Sequence, residues 1–83
     1  MEQGRIVAEV VEYVVKEIVD APDDVQVEVV PDGKDAVVAE VRTAKRDMGR
    51  VIGRRGRVAR AIRAVASAAG DEEGVAVDVE FLD

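Results

Sequence analysis

Val51-Ile52-Gly53-Arg54-Arg55-Gly56-Arg57 places two arginines between two glycines, directly after an apolar pair. Glycine lets the backbone take angles that a Cβ makes costly, and it lets another backbone approach closely. Residues 57 to 69 have the apolar period of a helix, so the Gly-x-x-Gly turn feeds a helix N-terminus. The first amides of a helix are unpaired, and its dipole favours negative charge. Arg54 and Arg55 add two guanidinium forks suited to phosphate. A Gly-x-x-Gly pattern alone is weak; this setting makes it specific.

The charge around this turn reverses the character of the chain. Between Arg42 and Arg63 there are nine basic residues (Arg42, Lys45, Arg46, Arg50, Arg54, Arg55, Arg57, Arg60, Arg63) and one acid, Asp47. That window carries +8. The rest of the chain carries −14, which gives the net −6 of the 83 residues. An acidic protein with one basic window has a local site for an anion, and a nucleic-acid backbone is the repeating anion that suits it. The acidic remainder opposes indiscriminate adhesion to nucleic acid.

Working outward, Gly4 to Ala21 places Ile6, Val7, Val10, Val11, Val14, Val15 and Ile18 at i, i+3/i+4 spacing, which predicts an amphipathic helix despite its β-branched residues. Glu12 and Lys16 form an i, i+4 pair on its polar face. Val25, Val27 and Val29 alternate with polar residues as in a strand. Pro31 to Asp35 reads as a turn. Ala36 to Thr43 is a second strand with Val37, Ala39 and Val41 inward. Asp47 is expected as the N-cap or a first-turn residue of a short helix, Met48 to Ile52. The helix after the turn is expected from Arg57 to about Ala69, burying Val58, Ala61, Ile62, Val65 and Ala69 and closed by Gly70. Val75 to Leu82 is the last strand, with Val77, Val79 and Phe81 inward. The order is α-β-β-α-α-β. Glu28, Glu40, Asp78 and Glu80 fall on the outward sheet face, which should repel phosphate.

Composition excludes several functions. There is no cysteine for disulfide or thiolate chemistry and no histidine for general-base or metal work. Tyr13 and Phe81 are the only aromatic residues, too few for the stacking platforms of RRM, cold-shock or other OB-fold proteins. No apolar run approaches the roughly 18 residues of a membrane span, and no signal-peptide profile opens the chain, so a soluble cytoplasmic protein is expected. The glycine spacing fits neither a Walker loop nor a dinucleotide fingerprint, and Glu72 and Glu73 read as solvated turn residues. No enzyme, cofactor or metal is expected.

The run Asp47-Met48-Gly49-Arg50-Val51-Ile52-Gly53-Arg54-Arg55-Gly56-Arg57-Val58-Ala59-Arg60-Ala61-Ile62-Arg63, with Val11-Glu12-Tyr13-Val14-Val15-Lys16 upstream, resembles the KH domains of type II topology. Within them it resembles the bacterial KhpA family of single-KH proteins. The resemblance implies one α+β unit over residues 1–83, with a three-stranded mixed sheet and three helices packed on one face. It implies that Gly53, Arg54, Arg55 and Gly56 clamp about four nucleotides of single-stranded RNA. Arg50, Arg57 and Arg60 would line the groove rim, and Ile52 and Val58 its apolar floor; Arg42 and Lys45 are outer-phosphate candidates. The family is described as RNA chaperones that form homodimers or pair with a second KH protein, KhpB, in cell elongation and peptidoglycan homeostasis. One departure is Ala59, where many KH domains carry a bulky apolar residue. An alternative stays open: a protein-contact scaffold of KH fold with incidental RNA binding, its arginines only solvated charge.

Overall fold

The computed structural model describes residues 3–82; the expected unit of residues 1–83 extends over Met1, Glu2 and Asp83, which lie outside the described residues. The elements are helix α1 (Arg5–Ile18), strands β1 (Gln26–Pro31) and β2 (Ala36–Arg42), helices α2 (Met48–Ile52) and α3 (Arg57–Glu73), and strand β3 (Ala76–Leu82). This is the α-β-β-α-α-β order of a KH domain. The sheet runs β1-β2-β3, with β1 antiparallel and β3 parallel to β2. No described helix is long and apolar enough to cross a membrane.

Register explains the single buried face. Val27 stands opposite Val41, and Val29 opposite Ala39. Across the other ladder Val37 meets Val77, Ala39 meets Val79 and Val41 meets Phe81. Because side chains alternate along a strand, all of these point to one side. There they join Val7, Val11 and Val15 of α1 and Ile62, Ala66 and Ala69 of α3 in one apolar cluster. The opposite side carries Glu28 facing Glu40, and Glu40 beside Glu80, an acidic row across all three strands.

The helices differ from the sequence expectation in four respects. Helix α1 ends at Ile18 rather than near Ala21, with an extended backbone at Val19. Ile6, expected inward, is 41% exposed. Helix α3 continues past Gly70 to Glu73 and is closed by Gly74 at φ 73°. Gly70 is instead buried inside the helix, where a Cβ would clash with Val77 and lie 2.6 Å from the Val75 carbonyl. Its role is a close approach to the start of β3. The buried stripe of α3 is also rotated from the expected one: Ala59, Ile62, Ala66, Ala69 and Gly70 are buried, while Ala61 and Val65 are exposed. Small residues let this helix lie close to its neighbours, and the larger Val65 is left outside at 40% exposure.

Two carboxylates join distant segments. Asp47 makes no capping bond to its own helix. Its side chain is 0% exposed and accepts hydrogen bonds from the amides of Asp20 (3.2 Å) and Ala21 (3.0 Å), in the α1–β1 connection. Glu73, expected to be solvated, accepts from the amides of Gly4 (2.9 Å) and Val7 (3.0 Å), so the end of α3 caps the start of α1. Each satisfies backbone donors that would otherwise lack partners. The i, i+4 pair of Glu12 and Lys16 forms at 3.5 Å.

Burial pushes the Asp47 carboxyl up, but the Asp20 and Ala21 amides, with Arg46 and Arg50, more than offset this and hold its pKa below the ordinary 3.8. A carboxylate with a depressed folded pKa stabilises the fold above its unfolded value, and this is lost as pH falls through the folded one. Asp47→Asn should therefore lower Tm at pH 7 and flatten the decline of Tm below about pH 4, read by circular dichroism melts across pH. Glu73→Ala should cost about 1 kcal/mol in urea unfolding, the usual worth of a helix cap.

Candidate nucleic-acid interface

Helix α2 stops at Ile52 because residue 53 leaves helical space: Gly53 has φ 74° and ψ 173°, a region open essentially to glycine alone. Val58 explains why no other residue fits there. A Cβ at position 53 would lie 2.5 Å from Val58 Cγ2 and 2.9 Å from the Val58 amide nitrogen. Val58 thus packs beneath the turn while also touching the core. Arg54 to Gly56 then forms one 3-10 turn, closed by the Gly56 amide donating to the Gly53 carbonyl at 3.1 Å. Inside it Arg55 has φ 55° and ψ 25°, the only positive-φ residue other than glycine among those described. Such a conformation costs an L-residue roughly 1–2 kcal/mol.

The turn delivers the chain into α3 at Arg57. No side chain caps this N-terminus, and no acid lies in its first turn. The positive end of a 17-residue helix is therefore open. Arg54, Arg55 and Arg57 surround it, all exposed. None of the three forms an ion pair with another described residue. Uncommitted guanidinium groups at the positive end of a helix make a place suited to an anion.

The remaining expected residues are placed differently. Arg50, expected on the rim, donates to Asp20 at 3.0 Å and lies 3.7 Å from the Asp47 carboxylate, so much of its charge is locally balanced. Arg60 donates to the Arg55 carbonyl at 2.9 Å, back into the turn. Arg63 reaches the Val79 carbonyl at 3.3 Å and lies 5.4 Å above the centre of the Phe81 ring. The Val79 amide is taken by the Asp78 carboxylate at 2.9 Å, so both backbone groups of Val79 are satisfied locally. Ile52 is half-buried next to the turn and outside the central cluster, leaving an apolar surface beside the arginines. Ala59, the departure noted in sequence, is buried at the base of α3. Arg42 and Lys45 are exposed at the end of β2 and in the segment before α2. No group of acidic side chains able to hold a metal ion occurs among the described residues.

Sequence reasoning missed the inward role of Arg60 and the ion pair of Arg50. The second was legible only in that Asp20 and Asp47 are the acids flanking the first helix and the second; their meeting depends on the fold.

A family described as KhpA/KhpB, KH domain, matches residues 8–81. The chain belongs to the KhpA/KhpB KH-domain family. It is 49% identical over 75 residues to the RNA-binding protein KhpA of Streptomyces coelicolor, covering 90% of this chain and 92% of that one. The protein of the same description from Clostridium acetobutylicum is 43% identical over 74 residues, covering 89% and 97%. That from Borreliella burgdorferi is 40% identical over 75 residues, covering 90% of each. The KhpA/KhpB match spans all three helices and strands apart from the first turn of α1 and the last residue of β3.

Gly53→Ala should destabilise the domain by about 2 kcal/mol, from forbidden backbone angles combined with the clash against Val58. Urea unfolding followed by far-UV circular dichroism would measure it.

Proposed function

We propose that this chain is a single-stranded RNA-binding protein that grips RNA backbone at Gly53, Arg54, Arg55 and Gly56, as one type II KH unit. The observation that carries the reading is the open N-terminus of α3 ringed by Arg54, Arg55 and Arg57, with no ion pair to any described residue, on an otherwise acidic chain. The names of its KhpA relatives as RNA-binding proteins support the same reading. Ile52 and Val58 supply apolar surface beside the turn, and the acidic row Glu28, Glu40 and Glu80 turns phosphate away from the sheet.

One such site contacts few nucleotides and binds weakly, so a second site on the same RNA matters. The proposal therefore includes pairing, with a second copy or with a KhpB-like KH protein. The exposed apolar positions Ala61, Val65 and Ala68, at helical spacing on α3, support a protein contact. Family resemblance adds the RNA-chaperone role, the cytoplasmic setting and the link to cell elongation and peptidoglycan homeostasis. The same α3 face favours the second reading, a scaffold that meets proteins first and RNA incidentally.

Arg54→Asp together with Arg55→Asp should abolish binding of a short unstructured RNA in fluorescence anisotropy while the circular dichroism spectrum is unchanged. Wild-type affinity should fall with salt at a log–log slope of about −0.7 per phosphate contacted. Equal binding by both proteins, or a flat salt response, would favour the scaffold.

A further inference from the structure

Arg60 is the one arginine near the turn whose guanidinium points back into it. The Arg60 Nη1 group donates to the Arg55 carbonyl at 2.9 Å across five residues. It also lies under Gly56, where an added Cβ would be 3.7 Å from the same nitrogen. Arg55 is the residue in the left-handed region, at φ 55° and ψ 25°, followed by Gly56 at φ 72°. Glycine occupies that region freely, and arginine does not. The carbonyl that Arg60 holds belongs to the Arg55–Gly56 peptide. The ring that this bond closes contains ψ of Arg55, so the bond holds ψ near 25°, a value that suits the left-handed region and not the right-handed one. A change of residue 55 to right-handed angles would redirect the Arg55 side chain, at the proposed RNA contact.

We infer that Arg60 is a positioning residue: it acts on RNA through the turn, by pinning the Arg55–Gly56 peptide, rather than as a phosphate ligand. This rests on the RNA reading above. The turn spans the tip of the site with one strained non-glycine residue, and a helical side chain one turn later holds the strain in place. An arginine at position 55 keeps a charge where a glycine would be conformationally easier, and Arg60 is what makes that arrangement persist.

The test is a double-mutant cycle with a fluorescein-labelled, unstructured 12-nucleotide RNA, using wild type, Arg60→Ala, Arg55→Gly and the double variant. Arg60 is exposed, so its removal should leave the fold intact. Arg60→Ala should weaken binding about tenfold when residue 55 is arginine, and less than about twofold when it is glycine. With glycine at residue 55, Arg60→Ala should leave the salt slope unchanged, since no phosphate contact is then removed. Equal losses in both backgrounds, with the slope reduced by about 0.7, would make Arg60 a phosphate ligand and overturn the inference. A second arm needs no RNA: the φ-sensitive amide coupling and the Cα and Cβ shifts of Arg55, by NMR. These should leave left-handed values in Arg60→Ala; unchanged values would overturn the inference. If wild type fails to bind the RNA, the RNA reading falls, and the NMR arm alone decides whether Arg60 holds the turn.

Discussion

The packing of Val58 against the Cα of Gly53 is the constraint on which the site depends. With Val58 where a Cβ would stand, residue 53 can be only glycine, and its backbone takes angles that end α2 at once. The chain must then reverse within three residues before α3 begins. This reversal sets the positive end of α3 next to two exposed arginines, while Val58 itself stays anchored to the core. A packing contact thus fixes where an electrostatic site can form. The proposed anion binding rests on the helix end and the side chains that the turn carries there.

Charge then separates by commitment as much as by position. Nine basic residues lie between Arg42 and Arg63, but they do different work. Arg50 is balanced by Asp20 and Asp47, Arg60 is turned onto the Arg55 carbonyl, and Arg63 rests on Phe81 and β3. Arg54, Arg55 and Arg57 face outward with no described acid on them. The acidic row on the far side of the sheet supplies the opposite field. With a Debye length of about 8 Å at physiological ionic strength, the two faces act on a ligand almost independently.

The fold was legible where local pattern and burial agree. Alternating valines marked all three strands, and Met48 to Ile52 was expected as a helix and is one. The errors fall where a residue answers to a distant partner. Gly70 resembled a helix end because glycine commonly closes helices, yet it lies within the last turn of α3, where it admits Val75 and Val77. Asp47 stood at a capping position, but its carboxylate serves amides 26 and 27 residues away. Glu73 looked solvated and caps α1 across 66 and 69 residues. The buried stripe of α3 was displaced because alanines, not the larger Val65, face α1 and the sheet. At the site, the Gly53–Gly56 turn was readable from composition, whereas the partners of Arg50 and Arg60 required the folded chain.

The long-range carboxylates also bear on how the site is held. Asp47 ties the α1–β1 connection to the start of α2, and Glu73 ties the end of α3 to the start of α1. The helices that flank the turn are therefore fixed at the ends away from it, α3 to the start of α1 and α2 to the segment that follows α1. The measurement that tests the account most directly is an NMR titration of the isotopically labelled protein with a short single-stranded RNA. Amide shifts should move first and most at residues 52–60, with Glu28, Glu40 and Glu80 unmoved. Shifts concentrated on the sheet face or on the outer side of α3, with residues 53–57 unperturbed, would contradict it.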